Sequence, residues 1–212
     1  MPTTTFFNLP AEKRENIVEA AIKEFAENTY EAASVARIIE RAGIPRGSFY
    51  QYFADLKDLY KYIIELAGEK KMGYFSAVTS RMEELDFFEI VRGIYRAGIR
   101  FAREHPELAV IGNNLFRQNE ELKKEIMGDL EIKSAAFFRE LLKKGQEKGE
   151  IDPEADIEAA FFMLFHLNVA TVDYVFNKRQ KSVFNDGGDE LLKLAEKILY
   201  IMENGLRNNK GD

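Results

Sequence analysis

The sequence of 212 residues contains no cysteine and only two histidines. Without cysteine the chain has no disulfide, no thiolate nucleophile and no cysteine-ligated metal. His105 and His166 are far apart and lack a metal-ligand spacing, so we expect neither a metal nor a cofactor. The G-x-S-x-G, P-loop and H-E-x-x-H motifs are also missing, which argues against the enzyme classes that depend on them. We therefore do not expect an enzyme.

Long apolar runs are missing as well. The longest uncharged stretch, residues 159–172, is too short to span a bilayer and has a charge on each side. The first residues show no basic segment followed by a long apolar run, so no secretory signal is indicated. We expect a cytoplasmic protein without a membrane partner.

Positive charge is outnumbered by negative charge. The chain has 30 Lys and Arg against 36 Asp and Glu, a formal net charge of -6. Such a chain does not coat nucleic acid through a global positive field, so any DNA contact must come from a local surface. Residues 1–62 are not basic either, but no acidic residue lies between Arg41 and Ala54.

Helical periodicity is present throughout the chain. Pro10, Pro45, Pro106 and Pro153 each precede an apolar stretch of helical period, as is typical of the first turn of a helix. The apolar spacing predicts an all-α fold of about nine helices. The predicted helices cover residues 10–27, 35–42, 46–52, 56–84, 86–104, a stretch from 106, 120–148, 153–177 and 189–206.

Residues 34–53 have the pattern of a helix-turn-helix. Ser34 is of the type that caps a helix, and Gly43 ends that helix before a tight connection to a second one. At roughly 100° per residue, Phe49 and Phe53 fall on one side of the second helix and can hold it to a core. The opposite side is then free to enter the major groove of DNA.

The outer side of this second helix is polar and aromatic. It consists of Gly47 and Gln51 at the centre, Ser48 and Tyr50 at the shoulders, and Arg46 and Tyr52 towards the rim. Their donors, acceptors and ring edges suit contacts with bases and phosphates. The alternative interpretation of the pattern makes Tyr50 and Tyr52 half-buried aromatics and Arg46 a solvated charge.

A longer motif surrounds the helix-turn-helix. It consists of Ser34, Val35, Ile38, the run from Arg41 to Phe53, and then Lys57, Leu59 and Tyr60. This motif resembles the signature of the TetR/AcrR family of bacterial transcriptional regulators. The resemblance implies a three-helix DNA-binding head at residues 1–55, a larger helical ligand-binding and dimerisation domain at 56–206, and a frayed tail at 207–212.

The same resemblance implies which residues contact DNA. Ser34 is expected at a phosphate, and the residues expected to face the operator are Arg46, Gly47, Ser48, Tyr50, Gln51 and Tyr52. The family usually has lysine where this chain has Leu56. Either the neighbouring Lys57 takes over that phosphate contact, or the contact is missing.

The last two predicted helices are unusually apolar. The final one is apolar over about half its circumference, whereas an ordinary stripe is roughly 100° wide, so we predict two partners for it. One partner is its own domain and the other a symmetry mate in a homodimer. The predicted interface residues are Phe161, Leu164, Leu191, Ala195, Ile198, Leu199 and Met202. The alternative is a helix buried within a monomer.

Seventeen phenylalanines suggest a pocket for an apolar or aromatic ligand. The candidate pocket residues are Tyr95, Phe116, Phe137, Phe162 and Phe165, with His166 and Asp173 as a polar handle. The alternative is plain core. Four arginines at positions 92, 96, 100 and 103 fall on one polar face, which is either solvated or internally paired, or recognises an anionic ligand such as the phosphates of an acyl thioester.

Together these patterns predict a ligand-responsive repressor that binds a palindromic operator as a homodimer. Its expected partners are double-stranded operator DNA and a small-molecule effector. The alternatives are a helical enzyme and a protein-interaction module that does not bind DNA.

Overall fold

The computed structural model describes residues 1–179 and 188–207, with the backbone alone at 129–131, 168–169, 171–179 and 188–191. In these residues the regular secondary structure is helical, apart from one isolated bridge between Ile151 and Arg207. The predicted all-α fold is confirmed. The α-helices are α1 (Thr4–Phe7), α2 (Ala11–Glu27), α3 (Val35–Ala42), α4 (Arg46–Tyr52), α5 (Leu56–Thr79), α6 (Phe87–Glu104), α7 (Pro106–Phe116), α8 (Glu120–Met127), α9 (Asp129–Glu147), α10 (Ile157–Arg179) and α11 (Gly188–Leu206).

Two of these helices were not among the nine predicted from the sequence. α1 is a single turn, too short to show a helical period. The predicted helix over residues 120–148 is divided at Gly128, whose φ of 52° lies in the left-handed region that favours glycine. The start predicted at Pro153 is also wrong, because Pro153 lies in a turn and Asp156 caps α10, its Oδ1 accepting the N–H of Ala159 at 2.7 Å.

The end predicted at residue 84 is wrong as well, because α5 ends at Thr79. Several other predicted helix ends are supported by hydrogen bonds. Ser34 Oγ accepts the N–H of Ala36 at 3.2 Å, and Gly43 ends α3 with φ 63°. Asp86 and Glu89 form a reciprocal capping box, with N–H to carboxylate distances of 2.9 and 2.7 Å. Because each cap satisfies helix N–H or C=O groups that have no partner in the helix, the sequence fixes these boundaries locally.

The chain divides into two compact units. Unit 1 comprises Met1–Lys70 and His105–Met127, and unit 2 comprises Lys71–Glu104 and the described residues from Gly128 onward. The units do not follow the predicted domain boundary between residues 55 and 56, because buried side chains of α5 such as Leu59 and Tyr60 belong to the core of unit 1. The assignment of DNA binding to 1–55 and ligand binding to 56–206 remains a prediction.

The core of unit 1 holds the helix-turn-helix in place. α2 packs on α3 and on α7, and α1 packs on α4. Its fully buried side chains include Phe6, Ile17, Phe25, Ile38, Phe49, Phe53, Leu59, Ile63, Ile111 and Leu115. Burying one such side chain contributes roughly 1.5–3 kcal/mol, so these residues fix the orientation of α4 within the unit.

Unit 2 is built around α6, which packs on α9 and α11, while α10 packs on α9 and α11. Arg207, expected to begin a frayed tail, is anchored here. Its guanidinium lies 4.7 Å from the Phe88 ring centre and 2.5 Å from Glu203. Residues 208–212, the rest of the predicted tail, lie outside the described residues. In the described part of the chain no helix is long and apolar enough to cross a membrane.

Candidate functional site

The outer face of α4 is accessible. Phe49 and Phe53 are fully buried, as their spacing predicts, while Tyr50 is 52% exposed. Arg46, Gly47 and Gln51 are exposed as well, and Ser48 is half-buried. A Cβ placed on Gly47 would meet no heavy atom within 4 Å, so this face is open. One side of α4 therefore holds it to the core and the other presents polar and aromatic groups.

Tyr52 departs from the expected set. It is only 3% exposed and its ring centre lies 6.3 Å from that of Phe6, so it belongs to the core of unit 1. The rotation of about 100° per residue places Tyr52 three residues from Phe49, on the inner side of the helix, and α1 covers that side. The sequence pattern does not reveal α1, and the prediction that Tyr52 lies at the rim of the outer face is therefore wrong.

The short helix α1 also holds the end of α4. The hydroxyl of Thr3 donates to the carbonyl of Gln51 at 2.7 Å, and the N–H of Thr3 donates to the carbonyl of Tyr52 at 2.9 Å. These two carbonyls lie in the last turn, where the helix itself provides no N–H donors for its carbonyl groups. Thr3 and Phe6 thus position the recognition face, and no periodic signal in the sequence marks them.

A buried carboxylate organises the start of α3. Glu24 is fully buried, and its Oε1 accepts the N–H of Ser34 at 2.9 Å and Arg37 Nη2 at 2.6 Å. Arg37 also donates to the carbonyl of Ala32 at 2.6 Å, which ties the preceding loop to the same carboxylate. Buried charges are retained where they are paired and hydrogen-bonded, as Glu24 is here. The sequence signal for this contact is weak: Glu24 directly precedes the apolar Phe25 in α2.

Three of the four positive charges within residues 34–57 are paired with carboxylates. Arg41 Nη2 lies 2.6 Å from Glu27 Oε2, and Lys57 Nζ lies 2.5 Å from Glu125 Oε1. Within residues 1–179 and 188–207, Arg46 takes part in no ion pair. Arg46 is therefore the most available cation on the outer face of α4.

The candidate ligand residues of unit 2 include buried and exposed side chains, and the rings of Phe165 and His166 are 5.6 Å apart. Tyr95 and Phe165 belong to the core of unit 2, where the Tyr95 hydroxyl donates to the carbonyl of Leu164 at 3.4 Å. Burial raises the pKa of Tyr95 to about 12, so this hydroxyl stays protonated at neutral pH. Phe162 and His166 are exposed, with ring centres 4.4 Å apart.

The remaining candidate ligand residues are further dispersed. Phe137 is partly exposed on α9, and Phe116 lies in unit 1. The side chain of Asp173 lies outside the described residues. Within unit 2, only Tyr95 and Phe165 of the expected set are placed in the shared core.

The arginine face of α6 is internally paired. Arg92 forms an ion pair with Glu203, and Arg96 lies 2.9 Å from Glu196, both partners being on α11. Arg100 lies 3.9 Å from Glu104 and stacks over Tyr74. Of the alternatives drawn from the sequence, the structure therefore favours internal pairing, and these charges join α6 to α11.

The residues predicted for the dimer interface also need correction. Phe161, Leu164, Ala195, Leu199 and Met202 are buried in the core of unit 2, against α6 and neighbouring helices. Ile198 is half-buried against the same core, and the side chain of Leu191 lies outside the described residues. The apolar stripe is wide enough for two partners, but these particular side chains pack within their own unit.

Other apolar side chains of the same two helices face outward. Tyr200 and Ile201 are 65% and 69% exposed on α11, and Phe162 and Met163 are exposed on α10. Lys193, Glu196 and Lys197 flank Tyr200 and Ile201. An apolar centre with a polar rim is the usual arrangement of a protein–protein interface.

Two family models match the chain. The one described as bacterial regulatory proteins, tetR family, matches residues 17–63. The one described as tetracyclin repressor-like, C-terminal domain, matches residues 85–207.

Individual proteins resemble the chain over most of its length. It is 29% identical over 203 residues to the fatty acid metabolism regulator protein of Bacillus subtilis (strain 168), covering 91% of this chain and 94% of that protein. It is 26% identical to the HTH-type transcriptional repressor AcnR of Corynebacterium efficiens, with 88% and 92% covered. The solved structure of a TetR family transcriptional regulator from Chloroflexus aurantiacus J-10-FL is 32% identical, covers 98% of this chain and 99% of that chain, and has a TM-score of 0.74.

Proposed function

Because the chain belongs to the TetR family of bacterial regulatory proteins, we propose that it is a ligand-responsive repressor whose α4 reads operator DNA. The observation that carries the proposal is the outer face of α4, which is exposed and free of acidic residues while Phe49 and Phe53 hold the inner face. A recognition helix needs this division between a buried and an accessible side.

The proposed DNA contacts divide into two kinds. Tyr50 and Gln51 offer groups that contact base edges, and Arg46 supplies a charge for phosphate or base. Ser34 already accepts the N–H of Ala36, so its hydroxyl hydrogen is the group offered to a phosphate oxygen. Ser48 lies beside this set, and Gly47 allows the helix backbone to approach the DNA. Tyr52 is not included because it is buried.

The head binds DNA most effectively as one of a pair. Its charge is low, and Arg37, Arg41 and the neighbouring Lys57 are already paired with carboxylates, so a single copy has few phosphate contacts. We assign the homodimer contact to the exposed faces of α10 and α11, centred on Phe162, Tyr200 and Ile201. Two heads would then read successive major grooves of a palindromic operator, about 34–36 Å apart.

The proposed effector is a fatty-acyl compound that binds residues 56–206. The similarity to a fatty acid metabolism regulator supports this class, and the phenylalanines of α9 and α10 suit an apolar chain. Recognition of the effector's charged end by the α6 arginines is not part of the proposal, since Arg92 and Arg96 already pair with α11. Coupling between effector and operator sites of about 1–3 kcal/mol would change operator affinity roughly 5- to 150-fold.

The test is a gel shift or footprint against the DNA upstream of the protein's own gene, with and without a series of fatty acids and acyl thioesters. We expect a protected palindrome, and a retarded band that weakens when the effector is added. Gln51→Ala should reduce operator affinity by about 1–3 kcal/mol and relax the base preference at one position. Undetectable or salt-insensitive binding would instead favour a protein-interaction module, and constant binding across the series would remove the effector from the proposal.

A further inference from the structure

Lys57 and Glu125 form an ion pair beside the proposed DNA-binding face. Lys57 lies in the first turn of α5, next to Leu56, the position at which the family resemblance implies a lysine that contacts phosphate. Its Nζ lies 2.5 Å from Glu125 Oε1. We propose that Glu125 competes with DNA phosphate for Lys57 and thereby sets the affinity of the head for DNA. This inference rests on the proposed DNA-binding function.

The position of Glu125 is fixed by the packing of α8. Leu122 and Ile126, three residues before and one residue after Glu125, are buried in unit 1, which also contains Lys57. A second contact precedes the helix, where Gln118 Nε2 lies 3.3 Å from Glu31 Oε2. Residues 118–126 therefore make polar contacts to Lys57 and Glu31, and two apolar side chains of α8 are buried within the same unit.

The pair is accessible enough to exchange partners. The side chains of Lys57 and Glu125 are 39% and 51% exposed, so a phosphate can reach the ammonium group. The hydrogen bond to Glu125 raises the pKa of Lys57 above its usual value, so the amine carries its full charge. Exposed ion pairs contribute little to stability because water screens them, and breaking this one costs the fold little.

Phosphate and the Glu125 carboxylate are both negatively charged and therefore compete for the Lys57 ammonium group. A phosphate that binds Lys57 must either displace the Glu125 carboxylate or lie beside it, and both arrangements lose part of the attraction. The head then gains less from this contact than from a free lysine. Any movement of α8 that separates Glu125 from Lys57 would add one phosphate contact, so the position of α8 determines how many contacts the head makes.

The experiment measures DNA affinity by fluorescence anisotropy over a range of salt concentrations. The probes are a random-sequence duplex and the DNA upstream of the protein's own gene. We expect Glu125→Gln to tighten binding to both probes about threefold. The slope of log affinity against log salt should steepen by about 0.9, as expected for one added phosphate contact.

The same change in a Lys57→Gln background distinguishes competition from general charge. Because this background has no Lys57 amine to release, Glu125→Gln should then change DNA affinity no more than Glu121→Gln does. Glu121 is an exposed residue of α8, and its substitution removes the same charge. Glu125→Ala serves as a second variant, and urea unfolding verifies that each protein is folded.

The outcomes separate this inference from the function on which it rests. If Glu125→Gln and Glu121→Gln have equal effects, or if the gain persists without Lys57, the competition is wrong while DNA binding stands. If the unaltered chain binds neither probe at low salt, the proposed function itself is wrong.

Discussion

The helices α4 and α11 carry the two proposed macromolecular contacts, and they divide their side chains differently. In α4 the inner Phe49 is buried together with Phe53, which directly follows the helix, and the outer Tyr50 is exposed, as the spacing predicts. In α11 the predicted contact residues Ala195 and Leu199 are buried in their own unit, and less obvious neighbours face outward. The polar outer face of α4 could be distinguished from its core face by composition, whereas the buried and the exposed contact residues of α11 are both apolar.

The two helices differ because their proposed partners differ in chemistry. DNA requires polar and charged groups, so a DNA-binding face contrasts with a hydrophobic core in the sequence itself. A second protein copy requires apolar groups much like those of the core, so only the packing shows which side chains remain available. In α11, the packing leaves Tyr200 and Ile201 exposed and thus available to a second copy.

The largest expected effect tests the division within α4. Phe49→Ala removes a fully buried ring and should destabilise the protein by about 3–5 kcal/mol in urea unfolding. Tyr50→Ala, at the adjacent exposed position, should change stability by less than about 0.5 kcal/mol while weakening operator binding. Equal losses of stability would show that Tyr50 is a core residue and that the two sides of α4 do not differ in burial.

The next effect tests the corresponding division within α11. Leu199→Ala should destabilise the protein by about 2–5 kcal/mol, because it leaves a cavity in the core of unit 2. Ile201→Asp should leave the folded protomer intact but shift sedimentation from dimer to monomer, since the charge falls on an exposed apolar surface. A dimer that survives Ile201→Asp at low protein concentration would place the interface elsewhere.

Most of the fold was predictable because the helices begin and end at local signals. The capping box at Asp86 and Glu89 and the left-handed Gly43 are determined by a few consecutive residues. At Gly128 the local sequence does not determine where the helix ends. A glycine within a periodic stretch is compatible with a continuous helix, and only the observed backbone angle reveals that it divides the stretch.

The candidate site was less predictable wherever it depended on distant residues. Tyr52 is buried by α1, about fifty residues earlier in the chain, and Ser34 is held by Glu24 from α2. The availability of Lys57 likewise depends on Glu125, which the sequence separates from it by more than sixty residues. Helical periodicity relates residues within a few turns and carries no information about such pairs.

A smaller effect tests whether DNA approaches the backbone of α4. Gly47→Ala should stabilise the head by about 0.5–1 kcal/mol, because alanine favours a helix and the added methyl meets no heavy atom of the protein within 4 Å. The same methyl should weaken operator binding by about 1–3 kcal/mol if the DNA backbone or a base occupies that space. Unfolding and anisotropy measurements on one protein should thus move in opposite directions. Unchanged DNA affinity would mean that the centre of the face stands away from the groove.

The smallest effect tests the charge of the head. Leu56→Lys restores a lysine where the related regulators usually have one, at the first residue of α5. Because Lys57 is paired with Glu125, we expect the new amine to strengthen binding to any duplex by about two- to fivefold and to steepen the salt dependence by about 0.9. The matched control is Leu56→Gln, which adds a polar side chain without the charge. Equal affinities for the lysine and glutamine variants would indicate that Lys57 already supplies the contact, and the low charge of the head would then not limit its affinity.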